Sequence, residues 1–389
     1  MKLEKFEISF DNTRGVFCSG EQVKGNVIIS LKQPMKMKKI TLYFEGRSKS
    51  HWEVKHGRSK TDYRANEPYI HHVMLLFGND ETSQEHAAGY HTYPFSLMLS
   101  PNLPSSFEGR RGYVRYFCKA SINRPWKFDE HTKRAFTVIH HLDLNFLPEA
   151  TMPIVAEQEQ AIEGFCCSAG YVSARLQLAK TGYVPGEPLA YNIDVYNKSD
   201  NKVDKIQLEL KQVVTYTGYS DSLFSSGHPK QHTKIDQFSL CSHSCNLKKN
   251  TEEHLNRIAT IPSLPPSKME GCSIIDITYF LSLIVSVGWT NITVERMIII
   301  GTVPIQQFHS FSIVPSTEPT APPLEPPDYS EPPPSYEESV FHSAPMGDEP
   351  EEAHTTGGMT NWAPSYIYYN WNQPAQAIPT IPPPAYNQL

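Results

Sequence analysis

Gly182-Tyr183-Val184-Pro185-Gly186-Glu187 leads into Leu189, Tyr191, Ile193 and Val195. A Pro-Gly turn followed by apolar residues at period two reads as a bend and then a strand with one buried face. The device stands also 166 residues earlier, where Cys18-Ser19-Gly20-Glu21 precedes Val23, Gly25, Val27 and Ile29. At that offset Ile40, Leu42 and Phe44 fall on Ile206, Leu208 and Leu210. Leu103-Pro104-Ser105-Ser106, ahead of Tyr113, Val114, Tyr116 and Cys118, is echoed by Leu264-Pro265-Pro266-Ser267, ahead of Ile274, Ile275, Ile277 and Tyr279. Chance alternation explains one such match, not three in order. One module used twice is implied. Solenoid periods run about 20–50 residues, so the arrangement is a tandem pair of domains.

Both modules read as all-β. Alternating Val, Ile, Tyr and Phe are bounded by Gly, Pro, Asn and Ser, with no long 3.6-residue periodicity. Short strands at this spacing predict two immunoglobulin-like β-sandwiches, over 1–150 and 151–314. The acidic stretch Leu147 to Glu163 reads as the connector, and the strand pattern stops after Phe311-Ser312-Ile313-Val314. Cys272 to Trp289 is apolar enough to suggest a membrane span. Its Asp276 and its β-branched and aromatic content favour buried strands instead.

The chain has 389 residues and a formal charge of -6. That charge divides unevenly. Residues 315–389 hold 17 of the 32 Pro, ten acidic side chains and no Lys or Arg. The body is therefore mildly basic and the tail strongly acidic. Such a tail cannot bury enough apolar area to offset chain entropy, so it is expected to lack fixed structure. The start, MKLEKFEISF, has no apolar signal region. The seven Cys are scattered and odd in number, which points to free thiols in a reducing compartment.

Three tail segments read PPxY: Pro326-Pro327-Asp328-Tyr329, Pro333-Pro334-Ser335-Tyr336 and Pro383-Pro384-Ala385-Tyr386. Consecutive prolines pre-set polyproline II, which docks in aromatic-lined WW-type grooves, and the Tyr fills a neighbouring pocket. Composition alone would supply about 0.3 such matches in a segment this rich in Pro. Tyr329 and Tyr336 lie roughly 20 Å apart along polyproline II. Pro319-Thr320-Ala321-Pro322 is a candidate for a second recognition system.

The paired Gly-Glu sandwiches with a PPxY tail resemble the α-arrestins, the arrestin domain-containing proteins. The resemblance is carried by Phe17–Gly25, Arg111–Tyr116, Arg124-Pro125-Trp126-Lys127-Phe128 and Gly182–Glu187. It continues in Leu264-Pro265-Pro266, Cys272-Ser273-Ile274-Ile275 and Ile300-Gly301-Thr302-Val303-Pro304. It implies an adaptor. The PPxY motifs would recruit HECT-type E3 ubiquitin ligases through their WW domains, and the body would engage membrane receptors or transporters. The cargo would then be ubiquitinated, internalised and sorted. Pro319–Pro322 resembles the peptide taken by the ubiquitin-E2-variant domain of the ESCRT machinery. The expected place is the cytoplasm, with peripheral recruitment to plasma membrane and endosomes. A basic patch for cargo or anionic lipid is sought in Lys36, Lys38 and Lys39 and in Arg110, Arg111 and Arg115.

Other classes find little. GxSxG, HExxH, GxxxxGK[ST] and GxGxxG are absent, so no catalytic residue is assigned. His228, His232, Cys241, His243 and Cys245 form a metal-like cluster without a standard zinc spacing. No metal, cofactor or nucleic-acid partner is expected. The alternative is a redox protein linked to thioredoxin on the same fold, acting through Cys241 or Cys245. A retromer-type coat subunit is opposed by the three WW ligands.

Overall fold

The computed structural model describes residues 2–162, 170–220, 228–306, 355–357 and 362–371. The strand end expected at Phe311–Val314 lies outside them. The first sandwich contains β1 (Leu3–Phe10), β2 (Val16–Cys18), β3 (Gln22–Leu31), β4 (Met35–Met37), β5 (Lys39–His56) and β6 (Ser59–Gly78). It continues with β7 (Gln84–His86), β8 (Gly89–Met98), β9 (Phe107–Gly109), β10 (Gly112–Asn123) and β11 (Glu130–Ile139). One layer runs β1-β3-β8; the other runs β6-β5-β10-β11, with β2 parallel to β11. Period-two burial aims Val23, Val27 and Ile29 of one layer at Ile40, Leu42 and Phe44 of the other, all fully buried. Edge-to-face rings close the core, with Phe10 5.7 Å from both Phe17 and Phe136.

The second sandwich repeats the plan. Its strands are β12 (Ile154–Ile162), β13 (Gly170–Leu178), β14 (Gly182–Tyr183), β15 (Pro188–Asn197), β16 (Val203–Ser220), β17 (Lys230–Leu247), β18 (Thr251–Thr260), β19 (Ile275–Val287) and β20 (Thr290–Ile300). β12-β13-β15-β18 faces β17-β16-β19-β20, with β14 parallel to β20. Cys272 to Trp289 falls on β19 and its hairpin, and β19 is buried on alternate positions as a central strand. Among the described residues no helix is long and apolar enough to cross a membrane.

The repeat extends to single hydrogen bonds. Gly20 and Gly186 both sit at positive φ, 85° and 87°, which turns after Cys18 and Val184 require. The next residue caps each turn: Cys18 N–H donates to Glu21 Oε2 at 2.6 Å, and Val184 N–H to Glu187 Oε2 at 3.0 Å. Tyr116 Oη donates to the Pro104 carbonyl and Tyr279 Oη to the Pro265 carbonyl, both at 2.8 Å. Val138 N–H donates to Ser106 Oγ, and Ile300 N–H to Ser267 Oγ.

The sheets containing β5 and β16 join across the domain junction. Tyr219 and Ser220 pair antiparallel with Arg64 and Tyr63, so strands of both sandwiches form one twelve-stranded sheet. Trp52, 1% exposed, stacks on Tyr63 and His232 there.

One expectation is corrected. Leu147 to Glu163 is not an irregular connector, because residues 154–162 are β12, an edge strand of the second sandwich. Its exposed middle, with Glu157 and Glu159, made it read as a linker; Ser173 Oγ holds Glu157 at 2.8 Å. The real connection is two short 3-10 turns, Leu144–Phe146 and Pro148–Thr151, whose Leu144 and Ala150 pack with Val184. Of the tail, residues 355–357 and 362–371 are among the described residues, and the rest lies outside them. Thr355–Gly357 forms β21, parallel to β11, and residues 362–371 lie against both sandwiches.

Candidate functional site

The tail motifs lie outside the described residues: Pro326–Tyr329, Pro333–Tyr336, Pro383–Tyr386 and Pro319–Pro322. The body carries the basic residues, and the structure separates them. Lys36 is on β4 and Lys39 opens β5, where Lys39 Nζ binds Asp80 at 2.5 Å. That contact raises the Lys39 pKa. Lys39 pairs with Asn123 at one end of β10. Arg110 and Arg111 form the exposed turn at its other end, where His51 N–H donates to the Arg111 carbonyl. β10 has 12 residues, so the clusters stand roughly 35 Å apart at about 3.3 Å per residue. They do not make one anion site.

Arg115 belongs to neither cluster. Its guanidinium grips Glu108 through two parallel bonds, Nε to Oε1 at 2.6 Å and Nη2 to Oε2 at 2.8 Å. It also lies 3.6 Å from the centre of the Tyr113 ring, and the residue is 4% exposed. Odd positions of β10 face away from the sandwich core, so Arg115 points outward, but Glu108 and Tyr113 cover it. Its expected place in an exposed patch is corrected to a structural one.

The same outward face carries cations that the sequence reading passed over. Cross-strand register sets Arg47 against Arg115, Lys49 against Tyr113, and Lys119 against both Tyr43 and Lys133. Phe117 lies among them, with Arg47 and Lys133 within 6 Å of its ring. The four cations Arg47, Lys49, Lys119 and Lys133 thus share one face with Glu45, and the covered Arg115–Glu108 pair lies among them. They are spread over three strands, with β5 far in sequence from the β10–β11 hairpin, so no run of basic residues announces them; the usable signal was Lys or Arg on the outward positions of β5 and β10.

Two apolar side chains received no functional reading from the sequence. Trp126, at φ 60° on the β10–β11 turn, and Trp289, on the β19–β20 turn, are fully exposed. They occupy equivalent hairpin tips of the two modules.

Four of the five cysteine and histidine residues of the cluster are dispersed along β17, and His228 precedes it. His232 stacks on Trp52, His243 faces Glu253 at 3.2 Å, and Cys245 Sγ points at the Val203 carbonyl. No grouping of three metal-ligating side chains occurs among the described residues. The five described cysteines are free thiols. Burial pushes Cys18 up to about 12 and Cys118 well above its ordinary value. Only the thiolate attacks an alkylating reagent, so at pH 8 both are expected to resist iodoacetamide in the folded protein. Peptide mass spectrometry should find them modified only after denaturation. Labelling of native Cys18 as fast as in the unfolded chain would contradict its buried, neutral state.

Comparison with known proteins gives consistent matches. Residues 6–145 match the family profile of the arrestin (or S-antigen) N-terminal domain, and residues 168–305 that of the C-terminal domain. The chain is 34% identical over 314 residues to arrestin domain-containing protein 17 of Caenorhabditis elegans, covering 78% of this chain and 72% of that protein. It is 26% identical over 316 residues to arrestin domain-containing protein 4 of Mus musculus, covering 77% and 71%. With arrestin domain-containing protein 1 of Homo sapiens it shares 25% over 332 residues, covering 84% and 72%.

Proposed function

The chain belongs to the arrestin family, and from that premise we propose that it is a non-catalytic adaptor joining membrane cargo to a WW-domain HECT-type E3 ubiquitin ligase. The observation that carries this reading is the triplet of PPxY motifs in a tail without Lys or Arg, attached to a two-sandwich arrestin body. A tail free of lysine offers the ligase no side-chain amine within the recruiting segment itself. Two motifs seven residues apart and a third fifty residues on can serve several WW domains of one ligase, and the second contact gains from effective concentration.

The body supplies the cargo side. The outward basic face centred on Arg47, Lys119 and Lys133 suits phosphorylated or acidic cytoplasmic tails of receptors and transporters. Trp126 and Trp289 at the hairpin tips suit a lipid interface, where indole rings settle at headgroup level. Ubiquitination would then direct the cargo to endocytosis and endosomal sorting, and Pro319–Pro322 would offer the ESCRT ubiquitin-E2-variant domain a contact.

The test is the triple variant Tyr329→Ala, Tyr336→Ala and Tyr386→Ala. It should lose ligase co-purification while melting like the parent. Restoring two of the three tyrosines should recover binding with an avidity gain of about 10² over one. A triple variant that still holds the ligase refutes recruitment through these motifs.

A further inference from the structure

The tail segment 362–371 crosses the domain junction and touches each sandwich with one tyrosine. Tyr366 is 5% exposed, and its hydroxyl donates to the Ser106 carbonyl at 3.0 Å. The neighbouring Ser365 N–H donates to Thr137 Oγ1 at 3.1 Å. Ser106 and Thr137 belong to the first sandwich. Three residues on, Tyr369 N–H donates to the Pro185 carbonyl at 3.0 Å, and its hydroxyl to the Thr302 carbonyl at 2.8 Å. Pro185 and Thr302 belong to the second. Tyr369 also packs on the Leu144, Ala150 and Val184 cluster that seats the interdomain connection.

The two glycines of the repeated turn separate here. A Cβ on Gly20 would meet nothing nearer than 3.8 Å, whereas one on Gly186 would lie 2.1 Å from the Tyr369 carbonyl oxygen. The turn needs glycine in both modules for its positive φ. Bare backbone is needed a second time only where the tail lies on it. Four backbone or hydroxyl bonds, a buried ring and this close approach make a fitted seat.

We propose that the groove between Ser106–Thr137 and Pro185–Thr302 is a docking site for this chain's own Tyr366-x-x-Tyr369 segment, and that the docked segment straps the two sandwiches together. A consequence follows for the tail. Gln306 and Thr355, which flank the motif-bearing stretch in sequence, are both placed on the body. Tyr386 lies 15 residues beyond Trp371, a reach of at most about 50 Å, against roughly 270 Å if the tail were held at Gln306 alone. The strap thus shortens the chain length available to the third PPxY. The docking itself does not depend on ligase recruitment, so its failure and the failure of that reading are separate results.

The experiment uses the full chain and a fluorescent peptide of residues 361–372. The variant is Tyr366→Ala with Tyr369→Ala. A tethered segment competes at an effective concentration on the order of millimolar, so for a peptide binding near 0.1 mM the wild type should bind about tenfold more weakly than the variant. Hydrogen exchange should find the Ser365 and Tyr369 amides protected in the wild type and released in the variant by tenfold or more. If the alanine variant does not fold, Tyr366→Phe with Tyr369→Phe removes both hydroxyl donors and keeps the rings; peptide uptake should then lie between the two. Equal peptide binding by wild type and variant, binding by neither, or unprotected amides in the wild type would overturn the strap. So would protection that rises with protein concentration, which would assign the segment to a second copy.

Discussion

Replacing Trp52 by Ala is expected to cost about 3–5 kcal/mol, the range for emptying a fully buried large aromatic site. Trp52 is 1% exposed near the end of β5, and its indole is sandwiched between Tyr63, 5.5 Å away and nearly parallel, and His232, 5.6 Å away. The third wall is Gly218, where a Cβ would come within 2.8 Å of the indole. Tyr63 lies in the first sandwich; Gly218 and His232 lie in the second. The cavity left by Ala therefore opens on the boundary, beside the two residue pairs that join the sheets. At about 2 °C per kcal/mol for a chain of this size, the melting temperature should fall by roughly 6–10 °C. Calorimetry should show the two sandwiches, coupled in the parent, beginning to melt separately. The control is Trp126→Ala, whose ring is fully exposed and whose loss should stay within about 0.5 kcal/mol. Equal melting of the two variants would show that the junction does not depend on Trp52.

The second large effect belongs to Arg115. Arg115→Ala should cost about 2–4 kcal/mol, at or just below the range for breaking a buried pair because Glu108 keeps 16% of its side chain exposed. The loss arises chiefly from a carboxylate left covered and without its bidentate partner. Arg115→Met combined with Glu108→Leu should recover most of it, since a well-packed apolar pair often replaces a buried ion pair at little cost. A double-mutant cycle by chemical denaturation isolates the coupling. A change within 0.5 kcal/mol for Arg115→Ala would return this residue to the class of surface cations.

The legible and illegible parts of the molecule differ in the range of the interactions that make them. The Gly-Glu turns were readable because Glu21 and Glu187 cap backbone three residues away, and the alternation after them is a property of one strand. Cys272 to Trp289 was readable as strand rather than span for the same reason. β12 was misread because an edge strand needs its apolar alternation only where it meets the core, and its middle faces water. The basic face was missed because β5 brings its cations to the β10–β11 hairpin through pairings tens of residues apart. Arg115 looked like its neighbours Arg110 and Arg111; only the fold of Glu108 beneath it takes it out of reach.

The sequence by itself determined that the body is two copies of one β module, that the tail is acidic and carries three PPxY motifs, and that no familiar catalytic motif is present. Each of these is written in periodicity, composition or a four-residue motif. Tertiary structure alone decided that the two modules share a sheet through Tyr219 and Ser220, that the cations divide between ends and face of β10, and that Tyr366 and Tyr369 settle on opposite sides of the junction. A tyrosine in a polar, Pro-rich tail has no local partner to reveal its place. Its site is made by backbone carbonyls of Ser106 and Thr302, which every residue possesses and no sequence pattern marks.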